Sequence, residues 1–164
     1  MMVDGLGHGA HAAEAAEEAS RTVGVHAGES ATEIVTITHD ALKKTRGAAM
    51  TVVLVDHERQ TLICSGVGNI SSVIVSGAAA RNMVSQNGTL GAVLPRIQEF
   101  TYPFDSRSML LMHSDGVGTK WSLSSYPGLQ ARHPQLIAGL LYRDFSRHRD
   151  DATVLLASLG GEAA

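Results

Sequence analysis

The spacing of apolar and polar residues predicts three helices. The stretch from Ala10 to about Val23 is rich in Ala and Glu and holds no Pro or Gly, which favours a helix. Ser30 and Glu33 have the spacing of a capping box, which predicts a second helix that ends near Thr45-Arg46-Gly47. Its predicted inner face is formed by Ile34, Ile37, Thr38, Ala41 and Leu42. A third helix is predicted over Pro134–Phe145, with an inner face formed by Leu136, Ile137, Leu140, Leu141 and Phe145.

Between and after these helices the pattern changes to short apolar runs that are separated by turn-forming residues, which is typical of strands. The predicted strands are Ala49–Val55, Thr61–Val67, Ile70–Val75, Gln98–Tyr102, Met109–Met112 and Thr153–Ala157. Met1-Met2-Val3 resembles the end of a further strand, and Gly77-Ala78-Ala79 is predicted to be a turn. The tight turns favour an antiparallel meander. Because strands and helices do not alternate, we expect an α+β layered domain rather than a parallel doubly wound sheet.

Composition narrows the class of protein. The chain has 164 residues, of which 44% are apolar and 18% charged, so one globular domain with a real core is expected. Its net charge is −3 and no basic stripe is visible, which argues against a nucleic-acid partner. No apolar run reaches the ~18 residues of a membrane span, and no secretory leader is visible. With Cys64 as its one cysteine, predicted to be a buried inert thiol, the chain suits a reducing cytoplasm.

Three short acidic turns lie where apolar runs begin or end. They are Asp4-Gly5-Leu6-Gly7-His8-Gly9, His113-Ser114-Asp115-Gly116-Val117 and Arg149-Asp150-Asp151-Ala152-Thr153. Carboxylates from distant parts of one chain repel each other when they meet, unless they share a proton or a hard cation. In the first turn, Gly5 has no side chain, so its backbone carbonyl can approach a cation beside the Asp4 carboxylate. Such oxygen ligands are those that Mg²⁺ and Mn²⁺ prefer.

Each acidic turn alone is a weak motif, since Asp-Gly pairs are common in turns. In combination with neighbouring motifs, the chain resembles the metal-dependent serine/threonine protein phosphatases of the PPM class, in the bacterial SpoIIE/RsbX branch. The resemblance runs from Val3 to about Leu156. Besides the acidic turns, the motifs that carry it are Arg46-Gly47-Ala48-Ala49-Met50 and Gly66-Val67-Gly68-Asn69, in matching order and spacing.

The resemblance implies a PPM-type β-sandwich flanked by helices, in α-β-β-α layers, with two Mn²⁺ or Mg²⁺ ions at one end. Asp4 would bridge the two ions, Gly5 would bind through its carbonyl, and Asp115 and Asp150 would hold the second ion. Asp151 would contact water or backbone instead. Water activated by the metal would attack phosphoserine or phosphothreonine directly. The implied substrate is a phosphorylated regulatory protein, a STAS-type anti-sigma-factor antagonist, in a signalling pathway of the stress response.

The family pattern also predicts a segment before Asp4 with a strand pair and a further acidic ligand, so the first strands of the domain are expected to be missing here. We predict a phosphatase domain over residues 1–159 and a flexible tail at 160–164. The alternative is a truncated, catalytically impaired pseudo-phosphatase that acts as a binding module. A GHKL-type ATPase fragment, with Asp4-Gly-Leu-Gly as its glycine box, is less favoured because that fold needs an Asn-bearing helix before the box.

Three histidines lie beside the acidic turns, namely His8, His113 and His148. A histidine can donate a proton to a leaving oxygen near neutral pH, so each is a candidate general acid. His8 is slightly favoured by its place in the first acidic turn. The alternative for all three is a structural role in the turn. Trp121, in Gly118-Thr119-Lys120-Trp121, is expected to anchor its loop to the core rather than to face a substrate.

Overall fold

The structure is a computed structural model that describes residues 1–77, 79–94, 96–147 and 150–160. The elements follow the order β1 (Met2–Gly5), α1 (Ala10–Val25), α2 (Ala31–Leu42), β2 (Ala48–Asp56), β3 (Thr61–Val67), β4 (Ser71–Ser76), β5 (Ala79–Asn82), β6 (Phe100–Pro103), β7 (Ser108–His113), α3 (Pro134–Phe145) and β8 (Val154–Ser158). Two short 3₁₀ helices precede α3, at Leu123–Ser125 and Leu129–Ala131. The chain divides into two compact units.

The first unit, Met1–Ile70 with Val84–Pro103, is built on a four-stranded antiparallel sheet. Its strand order is β1-β2-β3-β6, so that β2 and β3 form the central hairpin. β1 pairs with β2, and this pairing places Asp4 opposite Ala49. The acidic residue of the first turn is therefore held at the end of an edge strand of this sheet.

Helices α1 and α2 pack together and against this sheet. The fully buried Ala15 and Ala19 of α1 have short side chains, which allow a close approach. The predicted capping box of α2 is confirmed: Ser30 Oγ accepts from Glu33 N at 3.3 Å, and Glu33 Oε2 accepts from Ser30 N at 3.0 Å. The shared core comprises Ala15, Ala19, Ala31, Ile34, Val35, Leu42, Ala48, Met50, Val52, Val67 and Leu90.

The second unit, Ser71–Met83 with the described residues from Phe104 onward, has its own four-stranded antiparallel sheet in the order β5-β4-β7-β8. β7 lies inside this sheet, between β4 and β8, and all of its residues are buried. Its last residue, His113, is opposite Ser71 on β4 and Val154 on β8. The second acidic turn therefore leaves the sheet from an inner strand.

Helix α3 packs on β8, and both 3₁₀ helices contribute residues to the hydrophobic core of this unit. Pro134 occupies the first turn of α3, where its missing N–H costs nothing, and His133 Nδ1 accepts from Gln135 N at 3.2 Å. The core of this unit comprises Val73, Val75, Met109, Leu111, Leu123, Leu129, Ile137 and Leu141. No helix among the described residues is long and apolar enough to cross a membrane.

The predicted α+β class is confirmed, with two antiparallel sheets and three helices. The meander that the tight turns favoured does not run through all the strands, because β3 and β4 follow each other in the chain but belong to different sheets. Ala79 begins β5 rather than ending a turn. Leu136, predicted on the inner face of α3, is 52% exposed because the buried face runs through Ile137 and Leu141. Of the predicted tail, residues 161–164 lie outside the described residues, whereas the preceding Leu159 is buried.

Candidate functional site

The first acidic turn is held against the start of α1. Gly5 pairs with Ala48 across β1 and β2, and Leu6 N donates to Gly47 O at 2.9 Å. A Cβ added to Gly5 would lie 2.7 Å from the carbonyl carbon of Ala12, closer than real Cβ atoms approach. Only glycine therefore allows this close approach of β1 to α1. Asp4 beside it is partly exposed at the strand end.

A cationic side chain lies over this same turn. Gly7 has φ +89°, and a Cβ at that position would lie 2.9 Å from Nη1 of Arg46. The Arg46 guanidinium is thus placed beside the loop that carries Asp4 and His8. His8 is exposed on this loop, and its candidate role as a general acid stays a prediction. Sequence reasoning treated Arg46 as part of a family motif and missed its position beside the first acidic turn. No residue spacing in the sequence indicates that contact.

The second acidic turn is joined to the third by one buried serine. Ser114 Oγ donates to Asp151 O at 3.2 Å and accepts from Thr153 N at 3.0 Å. Ser114 N also donates to Thr153 O at 3.1 Å. Its hydroxyl therefore bonds to two backbone groups of the segment that leads into β8. Sequence reasoning missed this role, because residues 151 and 153 are distant from Ser114 in sequence.

Gly116 brings the same two segments into backbone contact. A Cβ added to Gly116 would lie 2.8 Å from the carbonyl carbon of Asp151, so the turn tolerates no side chain here. Asp151 N donates to Asp150 Oδ1 at 2.9 Å, and the expectation that the Asp151 carboxylate contacts water or backbone rather than metal stays a prediction. The second unit thus brings the turn with Asp115 against the segment with Asp150. Asp115 is partly exposed and Asp150 is exposed.

The buried ring of His113 precedes this turn. It is 1% exposed, its Nδ1 lies 2.9 Å from Ser114 O, and its Nε2 accepts from Trp121 Nε1 at 3.2 Å. Burial lowers the pKa of His113, and the nearby Arg147 lowers it further, while the contact with Ser114 O opposes both. A buried ring with both nitrogens engaged cannot reach a leaving group, so His113 has a structural role. The expectation that Trp121 anchors its loop is consistent with this contact and with its packing on the core.

The donor chemistry of the predicted ligands suits a hard divalent cation, since it consists of carboxylates and a backbone carbonyl. Asp4 and Gly5 belong to the first unit, whereas Asp115 and Asp150 belong to the second. In the described part of the chain, no three His, Cys, Asp or Glu side chains are grouped so that they could hold a metal ion. His148 lies outside the described residues.

A cavity of about 680 Å³ opens in the second unit, but at the other end of its sheet. Its lining includes Asp105, Arg107 and Met109, which surround the start of β7, together with His133 at the start of α3. Asp115 follows the opposite end of β7 and does not line it. None of the described residues of the three acidic turns lines this cavity, so the cavity is not part of the candidate site.

The family model for stage II sporulation protein E (SpoIIE) matches residues 1–160. The chain belongs to the SpoIIE family. This SpoIIE-family chain also has the fold of PP2C-type phosphatases, which is the fold predicted from the sequence. Family and fold together confirm the predicted enzyme class, a protein serine/threonine phosphatase of the PPM type in the SpoIIE/RsbX branch. Among curated proteins, no sequence matches the chain.

Solved structures agree with this assignment. A chain from work on the bacterial stressosome, "a modular system that has been adapted to control secondary messenger signaling", is 26% identical with a TM-score of 0.84, and the match covers 94% of this chain and 81% of that one. RsbX in complex with magnesium is 22% identical with a TM-score of 0.78, covering 94% and 77%. The PP2C phosphatase domain of SpoIIE from Bacillus subtilis is 20% identical with a TM-score of 0.75, covering 94% and 52%.

Proposed function

We propose that this SpoIIE-family protein is a metal-dependent phosphatase that hydrolyses phosphoserine or phosphothreonine on a regulatory protein. The observation that carries the proposal is the pair of acidic segments in the second unit. Ser114 and Gly116 join the turn with Asp115 to the segment with Asp150 through contacts with the backbone of residues 151–153. In a phosphatase family, two acidic segments that are held against each other in this way are best explained by a shared cation.

In this proposal, two Mn²⁺ or Mg²⁺ ions would be held by Asp4, the Gly5 carbonyl, Asp115 and Asp150. The ions would supply Lewis acidity and a water of lowered pKa near neutral pH. The support is the donor chemistry, the family match and the solvent access of all three carboxylates. A relative of the same fold, RsbX, was solved in complex with magnesium.

The chain's own residues would orient the substrate. Arg46 lies beside the first acidic turn, where its guanidinium can pair with two phosphoryl oxygens of the substrate and offset the negative charge of the carboxylates. His8 is exposed on the same turn and would donate the proton that the leaving serine oxygen needs. For the substrate we propose a phosphorylated STAS-type protein of a signalling pathway in the cytoplasm. The similarity to a chain of the bacterial stressosome supports a regulatory protein as partner.

The test is release of inorganic phosphate from a phosphoserine peptide and from p-nitrophenyl phosphate, with excess Mn²⁺ or Mg²⁺. We expect turnover that a chelator abolishes. Asp115→Asn should lose this activity while it keeps the fold. Asp144→Asn is the matched control, because Asp144 is bound by Arg143 and Tyr126 on the surface of the same unit and should leave turnover unchanged.

Absence of turnover with either metal and either substrate would refute the enzyme proposal. Retained binding of a phosphorylated STAS-type protein without phosphate release would then favour the alternative, a catalytically impaired pseudo-phosphatase that acts as a binding module. The GHKL-type ATPase alternative gains no support from the family match.

A further inference from the structure

The hydrogen bonds of His113 fix the ring in a single tautomer. An indole N–H can only donate, so Nε2 of His113, 3.2 Å from Trp121 Nε1, must carry a lone pair. The neutral ring then carries its proton on Nδ1, which donates to the carbonyl oxygen of Ser114 at 2.9 Å. Both bonds use the same tautomer, so neither is made at the expense of the other.

The chain of bonds continues from Ser114 into both acidic segments of the second unit. Its carbonyl oxygen also accepts from Val117 N at 3.1 Å, which closes the turn around Asp115. Its hydroxyl contacts the backbone of Asp151 and Thr153, which directly precede β8. We call this chain of contacts the Trp121–His113–Ser114 relay. It joins a tryptophan in a core-packed loop to both predicted ligand segments.

Burial gives the relay its rigidity. His113 is 1% exposed and Ser114 is 4% exposed, so water does not compete for their bonds. Trp121 packs on the hydrophobic core of the unit, with its ring perpendicular to that of His113 at a centroid separation of 6.2 Å. Displacement of the Asp115 turn therefore has to break a buried bond or move the indole.

We propose that His113 and Trp121 are positioning residues that hold the Asp115 turn in register with the Asp150 segment, and that the indole of Trp121 reports divalent-cation binding there. This inference rests on the proposed function, since it assumes that Asp115 and Asp150 bind the cation. Neither residue touches the substrate. Their contribution is to hold two carboxylates in place before the cation arrives, which reduces the ordering that binding requires.

The first experiment uses the fact that Trp121 is the one tryptophan of the chain. Fluorescence of the intact protein is recorded during titration with Mg²⁺, which does not quench by paramagnetism as Mn²⁺ does. We expect the emission of Trp121 to change with the same midpoint that calorimetry gives for Mg²⁺ binding. Asp115→Asn should remove both the change in emission and the binding heat. An unchanged emission in wild-type protein that binds Mg²⁺ would overturn the inference.

The second experiment measures Mg²⁺ affinity by calorimetry in variants of the relay. Trp121→Phe keeps an aromatic ring but lacks the N–H, and His113→Leu removes both ring nitrogens. We expect each to weaken Mg²⁺ binding by about tenfold, the lower end of what loss of an outer-shell partner costs. His113→Gln keeps a donor and an acceptor on one side chain and should recover part of the affinity.

Leu129→Ala is the matched control, because Leu129 belongs to the same core cluster but makes no part of the relay. It should lower the melting temperature and leave Mg²⁺ affinity unchanged. If Leu129→Ala weakens Mg²⁺ binding as much as Trp121→Phe does, the relay has only a structural role. If wild-type protein binds no Mg²⁺, or Asp115→Asn binds it normally, the proposed function fails, and the inference fails with it. If Asp115→Asn weakens Mg²⁺ binding but Trp121→Phe and His113→Leu do not, the inference fails and the proposed function stands.

Discussion

Gly116→Ala tests whether backbone contact between the two acidic segments of the second unit is essential. The added Cβ would lie 2.8 Å from the carbonyl carbon of Asp151 and 3.1 Å from Cα of Ala152, both of them backbone atoms. Ordinary contacts of a Cβ begin at 3.4 Å, and backbone atoms cannot rotate away as a flexible side chain would. The added Cβ would come closest of all to the carbonyl oxygen of Asp151, so the two segments must separate by about 1 Å.

That separation has consequences for both stability and turnover. Overpacking of this kind costs about 1–3 kcal/mol, which corresponds to a melting temperature lower by about 2–12 °C for a chain of this size. A displacement of about 1 Å between groups that act together can lower turnover by about a hundredfold. We expect Gly116→Ala to lose phosphatase activity at temperatures where circular dichroism shows it folded. Phosphate release and thermal unfolding measure the two effects separately.

Gly118→Ala is the matched control, since a Cβ there would lie 3.5 Å from Phe145 O, an ordinary contact in the same turn. It should behave nearly as wild type in both assays. The reasoning is refuted if Gly116→Ala and Gly118→Ala have equal activity and equal melting temperatures, because the tight approach to Asp151 would then have no consequence.

Three further predictions concern the first unit. Burial raises the pKa of the Cys64 thiol to about 11, so the thiol should resist Ellman's reagent in folded protein at pH 8. Because the thiol of the unfolded chain ionises at lower pH, the free energy of unfolding should fall as pH rises from 9 through 11. Urea unfolding of Cys64→Val should lack this dependence on pH. Ser30→Ala removes the cap of α2 and should cost about 1 kcal/mol in urea unfolding, whereas an unchanged midpoint would mean that the box contributes nothing. Arg46→Ala should raise KM for a phosphopeptide more than it lowers kcat, and an unchanged KM would exclude Arg46 from phosphate binding.

The helices and most strands were predictable because local rules decide them. The capping box fixed the start of α2, and the apolar repeat gave the exact bounds of α3. β5 could not be predicted, because Ala79–Asn82 is exposed and shows no alternation of apolar residues, so only its pairing with β4 makes it a strand. The division of β3 and β4 between two sheets was also hidden, since a short turn looks the same in either arrangement.

At the candidate site, sequence reasoning located the acidic residues but not their supports. Family motifs led to the prediction of Asp4, Asp115 and Asp150 as ligands, and that assignment stays a prediction. The contacts of Ser114 with residues 151 and 153 join parts of the chain that are distant in sequence, so no local pattern encodes them. The bond between Trp121 and His113 likewise depends on how the loop folds back on the core.

Asp4 and Asp115 lie on strands with different numbers of neighbours, so we expect the two strands to differ in how readily they unfold locally. Asp115 follows β7, an inner strand with partners on both sides, whereas Asp4 is the next-to-last residue of β1, which pairs with β2 alone among the described strands. Edge strands open to solvent more readily than inner strands, because fewer hydrogen bonds must break. In hydrogen–deuterium exchange we therefore expect β1 amides to exchange well before those of β7. A cation bound by Asp4 would slow exchange in β1, so the protection of that strand would measure how much of the binding energy is used to order it.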